Sequence, residues 1–88
     1  MRFERLLNAV AEVHSGGAKD LVSSTRKRAW VKPRGQLAYL ARAWCGMKAI
    51  EIAREVKRDV SMVSRLCTSY DAVRDFRTEK RIAEAIDK

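Results

Sequence analysis

The sequence predicts an all-α fold, a compact bundle of about five to six helices containing a helix-turn-helix. Apolar residues recur at spacings of three and four through most of the chain, and no segment alternates apolar with polar residues as a strand would. Residues 49–68, in addition, hold two short amphipathic stretches joined by three charged residues. Eighty-eight residues make a single domain, 1–88, too small for two independent cores. A hydrophobic share of 47% with four Gly and one Pro argues against disorder and low complexity.

From Phe3 to Val13 the apolar residues Phe3, Leu6, Leu7, Val10 and Val13 mark a first helix, stopped by Ser15, Gly16 and Gly17. Leu21 and Val22 suggest a brief second helix within Ala18 to Ser23. The following segment, STRKRAWVK, lacks helical periodicity and reads as a basic loop over about 24–33. Pro33 should push Lys32 away from helical geometry and open a third helix, Pro33 to Trp44, with Leu37, Leu40, Ala41 and Trp44 on one stripe and Gly46 at its end.

Residues 49–68, AIEIAREVKRDVSMVSRLCT, have the spacing of a helix-turn-helix. Ala53 is the small residue that lets the second helix cross the first, and Val63, ten positions later, packs back into the angle. Lys57 and Arg58 form the turn. Lys57 takes a position usually held by Gly, at a cost of ~1 kcal/mol if it is left-handed. Asp59 is the expected N-cap, its carboxylate accepting a backbone N–H. Tyr70 and Val73 extend the second helix, and Ile82, Ala83 and Ile86 form the stripe of a last one, Thr78 to Lys88, capped by Thr78.

Nineteen Lys and Arg against eleven Asp and Glu give a net charge of +8. Residues 26–65 contribute eleven basic and three acidic side chains, the whole of that excess, while the flanks are neutral. The middle of the chain therefore carries a field that attracts a polyanion, the competing reading being a merely solvated basic face. No apolar stretch approaches the ~18 residues of a membrane span, and MRFERLLNAVAEVHS is unlike a signal peptide, so no membrane partner and a cytoplasmic location are expected. Cys45 and Cys67, without a C-x-x-C, and the single His14 do not complete an ordinary zinc site, and no cofactor is expected. No carboxylate pair or nucleophile–base pairing suggests an enzyme, and neither Tyr39 nor Tyr70 has a neighbouring activating group in sequence. His14 reads as a capping or surface residue, the cysteines as small buried hydrophobes, Trp44 as core, and Trp30 as a plug over the core in preference to a base-stacking ring.

The order of basic loop, third helix and helix-turn-helix resembles the DNA-binding carboxyl-terminal domain of the bacterial replication initiator DnaA, in the Trp-repressor-like fold group. The stretches AVAEVHS, AKDLVSSTRKRAWVKPR, LAYLARAW and EIAREVKRDVSMV carry the likeness over nearly all of the chain. That family opens its recognition helix with Gly-Gly-Arg-Asp-His-Ser/Thr-Thr-Val. Lys57, Arg58, Asp59, Val60, Ser61, Met62 and Val63 match it with one turn residue fewer, Val60 for the histidine and Met62 for the base-contacting threonine. The shortened turn and VSMVSR also resemble the DnaA-like tails of certain tyrosine transposases, which would make this a part of a larger transposase or initiator polypeptide. Gly16, Gly17, Gly35 and Gly46 belong to no phosphate-binding loop, and His14 alone supplies no His-hydrophobic-His pair, so any ATPase or strand-cleavage chemistry would lie elsewhere.

The resemblance implies a non-enzymatic module that binds double-stranded DNA and is nucleoid-associated when bound. Asp59, Val60, Ser61, Met62, Ser64 and Arg65 are the expected base-contacting residues. Arg26, the best match to the family's minor-groove arginine, is expected with Lys27, Arg28, Lys32, Arg34, Lys48, Lys57 and Arg58 on the backbone or minor groove. A basic helical module binding RNA or an acidic protein is the alternative.

Overall fold

The computed structural model describes residues 2–14, 21 and 31–87. Among them are five helices and no strand: α1 (Phe3–Val13), α2 (Val31–Trp44), α3 (Ala49–Val56), α4 (Val60–Ala72) and α5 (Phe76–Ile86). The all-helical class holds. The brief helix expected over Ala18 to Ser23, the basic loop to residue 30 and Trp30 lie outside the described residues, except for Leu21, which is buried.

α1 has the bounds its periodicity predicts, with Leu6 and Val10 fully buried. α2 starts at Val31, two residues before the expected Pro33, so the basic loop does not extend to 33 and Lys32 is helical. Pro33 is the third residue of the helix, where a backbone N–H has no intrahelical acceptor and its absence costs nothing. Leu37, Leu40 and Ala41 are fully buried and Trp44 is partly buried against them. Gly46, at φ 64°, supplies the left-handed turn that ends α2.

α2 packs chiefly against α4, and α1 against α5, around a core of Leu6, Val10, Leu37, Leu40, Ile52, Val63 and Ile82. The α2–α4 contact is close at Gly35, where an added Cβ would sit 3.2 Å from the Leu66 carbonyl oxygen and 3.3 Å from Tyr70 Cβ. A side chain there would hold the two helices apart.

α5 begins at Phe76 and not Thr78, and ends at Ile86. Its N-cap is Asp75, whose carboxylate accepts from the Thr78 backbone N–H at 3.1 Å and from the Thr78 hydroxyl at 2.7 Å. Thr78 is thus the capped residue and not the cap. The carboxylate meets each donor with a separate oxygen, Oδ1 for the N–H and Oδ2 for the hydroxyl.

Candidate nucleic-acid interface

α3 and α4 form the helix-turn-helix, joined by Lys57, Arg58 and Asp59. Ala53 is 6% exposed and Val63 fully buried, the small residue and the returning apolar residue that let two short helices cross closely. Lys57 adopts φ 55°, ψ 47°, left-handed as the turn requires. The Arg58 N–H donates to the Ala53 carbonyl at 3.0 Å and closes a Schellman-type end to α3. At the other end of α3 the Glu51 carboxylate accepts the Lys48 N–H at 3.0 Å.

Asp59 occupies the N-cap of α4, its carbonyl accepting from Val63 N–H at 3.0 Å, but its carboxylate makes no capping bond. That corrects the expected side-chain cap. The exposed carboxylate stands at the helix entrance, where it still complements the dipole.

α4 buries Val63, Cys67 and Tyr70 on one face. At 3.6 residues per turn, Ser61 and Arg65 lie opposite that face, with Val60 and Ser64 toward one flank and Met62 toward the other. All five are exposed, as is Asp59. Two are large apolar side chains, Val60 at 43% and Met62 at 42% exposure. Beside Met62, an apolar groove of about 420 Å³ separates α4 from the first turn of α2, lined by Lys32, Gly35, Met62, Arg65 and Val73.

The cations divide. Lys48 and Lys57 are exposed at the two ends of α3. Arg58 is half-buried and its Nη1 donates to the Lys57 carbonyl at 3.4 Å. Lys32 is exposed and pairs with Asp75 at 3.3 Å. Arg34, expected on the DNA backbone, is buried, and its Nε donates to the Leu21 carbonyl at 3.2 Å, tying Leu21 to the start of α2. Arg26, Lys27 and Arg28 lie outside the described residues.

Sequence reasoning missed a buried polar relay. His14 Nε2 donates to Gln36 Oε1 at 2.7 Å, Gln36 Nε2 donates to the Tyr70 hydroxyl at 2.9 Å, and Tyr70 donates to Glu79, which Arg74 also holds. His14, read as capping or surface, does occupy the C-cap of α1, but its ring enters this relay. Its signal in the sequence was slight: one glutamine, Gln36, amid the apolar run of α2. The relay does not make a nucleophile of Tyr70, because burial and the Glu79 carboxylate push its hydroxyl up to about 12. Burial likewise raises the thiols of Cys45 and Cys67, which keeps them protonated. Among the described residues no three of His, Cys, Asp and Glu are grouped to hold a metal ion, and no helix is long and apolar enough to cross a membrane.

A sequence model of the bacterial DnaA protein helix-turn-helix family matches residues 3–69. The chain belongs to this family. The DnaA match runs from α1 through the turn into α4 and stops one residue short of Tyr70, so α5 lies beyond it. DnaA helix-turn-helix domains bind DNA and are not normally enzymes, which agrees with the arrangement of α3 and α4. No curated protein and no solved structure matches the chain.

Proposed function

We propose that this domain binds double-stranded DNA with the first two turns of α4 in the major groove and the basic segment before α2 on the backbone or minor groove. The observation that carries the reading is the exposed face of α4, Asp59 to Arg65, standing on a helix-turn-helix whose first helix presents Lys48 and Lys57 at its two ends. A duplex offers base edges to such a helix and phosphates to such cations.

Arg65 donates two bonds to a guanine or one pair to a phosphate, Asp59 accepts from a cytosine amino group, and Ser61 and Ser64 bond to either donors or acceptors. Lys32, Lys48, Lys57 and Arg58, with Arg26, Lys27 and Arg28, neutralise phosphates. The family match supports targeting of the replication-initiator kind, and nothing in it supports the likeness to transposase tails.

Selection from a random duplex library tests the reading. An enriched motif whose binding survives competition by single-stranded RNA supports it. Failure to enrich any duplex, with equal binding to RNA or to an acidic protein, overturns it in favour of a general polyanion-binding module.

A further inference from the structure

α4 reaches the core through Val63, Cys67 and Tyr70, and leaves open the groove it forms with the first turn of α2. Met62, Leu66 and Val73 line one side of that groove, with Gly35 of α2 facing them. At 1.5 Å per residue the strip from Met62 to Val73 is about 16 Å long, close to three helical turns. Its ends are open, Met62 at 42% and Val73 at 65% exposure. Gly35 brings no side chain to the floor, where a Cβ would already press on the Leu66 carbonyl. Two cations, Lys32 and Arg65, also line the groove, and no acidic side chain does among the described residues. Lys32 pairs with Asp75, but in an exposed contact that solvent and salt weaken, and among the described residues Arg65 is in no ion pair.

The length, the apolar floor and the positive rim together select an occupant. Phosphates and base edges are polar and would leave the floor unfilled. A lipid surface is too broad to enter a trough between two helices. A second copy of the chain would bring another +8 of charge against this one. An amphipathic helix from an acidic protein satisfies both features: aliphatic side chains at three- and four-residue spacing fill the floor, and flanking carboxylates meet Lys32 and Arg65. We infer that this groove is a docking site for an acidic amphipathic helix of a partner protein. Lys32, Met62 and Arg65 also belong to the face proposed for duplex DNA, so partner and duplex exclude one another and the partner inhibits DNA binding by competition. The docking stands without the duplex-binding reading; the competition rests on it.

The probe is a fluorescein-labelled helical peptide of about four turns, with leucines at three- and four-residue spacing and glutamates beside them. Its anisotropy is recorded against the whole domain, with the duplex enriched from the random library as competitor. The peptide should bind saturably and be displaced by the duplex. Exchange of its leucines for serine, or of its glutamates for lysine, should abolish the binding. Val73 is exposed and outside the proposed DNA contacts, so Val73→Ser should melt and bind duplex as the wild type does, while its affinity for the peptide falls about tenfold. Equal binding of the serine peptide would mean attraction of polyanions by the whole basic surface and overturns the docking site. Absence of saturable binding, or an affinity that Val73→Ser leaves unchanged, overturns it too. A dimer in sedimentation that Val73→Ser dissolves gives the groove to a second copy instead. Peptide and duplex bound together overturn the competition alone. A library that yields no duplex removes the duplex-binding reading and the competition with it, while peptide binding that depends on Val73 still upholds the docking site.

Discussion

The Tyr70 hydroxyl donates to Glu79 Oε2 at 2.6 Å, and both side chains are nearly closed to solvent, at 2% and 6% exposure. One residue belongs to α4 and the other to α5, so the second helix of the helix-turn-helix is fastened to an element beyond the family match. The fastening continues on both sides. Arg74 meets the same carboxylate through Nε at 3.2 Å and Nη2 at 2.8 Å while its guanidinium lies between the Tyr39 and Phe76 rings, 4.8 and 4.6 Å from their centroids. Gln36 and His14 carry the relay back to α2 and the end of α1. Among the described residues no buried side-chain polar atom lacks a partner.

Tyr70→Phe therefore removes the acceptor of Gln36 and a donor to Glu79 together, and should destabilise the domain by ~1–3 kcal/mol in urea unfolding. Glu79→Gln should cost a similar amount. The double variant should lose less than the sum of the two, because the residues share one bond. Strict additivity would mean that the contact contributes nothing.

Stability should fall at both ends of the pH scale for different reasons. Asp75 is lowered to about 2 by its bonds to Thr78 and by Lys32. Burial raises Glu79, but the Arg74 and Tyr70 bonds outweigh it and leave the carboxyl below its ordinary value. Depressed carboxyls stabilise above their unfolded pKa, and this contribution is lost as the pH falls through about 4 toward 2. Tyr70 has the opposite sign: raised from its ordinary 10 to about 12, it loses its contribution as the pH climbs through that interval. Unfolding midpoints recorded from pH 2 to 11 should show the acid limb flattened in Asp75→Asn and the alkaline limb in Tyr70→Phe.

Lys57 is the one non-glycine residue with positive φ among those described, and it has no need of its Cβ. Lys57→Gly should raise stability by up to ~1 kcal/mol, a gain visible as a higher melting temperature. If Lys57 also meets a phosphate, the same variant should bind duplex DNA more weakly and with a shallower salt dependence, so fold and affinity move in opposite directions.

Val63→Asp should unfold the domain by placing a carboxylate without a partner in a site with no solvent access. Ser64→Ala and Arg65→Ala should melt like the wild type. Loss of a guanine contact at Arg65 would cost ~1–3 kcal/mol on the preferred site and far less on random duplex, whereas loss of a phosphate contact would weaken both alike.

Binding should be strongly salt-dependent, with a log–log slope near −5 if ~6 phosphates are met. Arg26→Ala and Arg28→Ala should each reduce affinity for all duplexes, with an added loss on A·T-rich flanks for Arg26→Ala if it enters the minor groove. Unchanged affinity in both would take the basic segment out of the interface.

The parts of this fold that were legible in the sequence are those where one local pattern decides the outcome. The stripe of Leu6 and Val10 needs only a helix with one apolar face, and the Ala53–Val63 spacing needs only two helices that cross. Where several groups compete for one position, local pattern falls short. Arg34 looks like any basic residue beside a basic loop until a carbonyl twenty-one residues from the amino end comes within its reach. Gln36 and Glu79 stand out in no local pattern, and are buried because Tyr70 brings each a partner from another helix. Asp75 displaced Thr78 as cap because both lie near the same helix start and a carboxylate has two oxygens to offer.

Gly35 sets the separation of α2 and α4, and with Ala53 it fixes the direction in which α4 points. Asp59, Val60, Ser61, Met62, Ser64 and Arg65 take no part in that. If these six residues read the duplex as proposed, a lineage carrying this domain can move from one target sequence to another by single substitutions that leave the packing of α2 on α4 untouched. The same independence suits the domain to engineering, where a library randomised at those six positions would vary the address on a scaffold that stays constant.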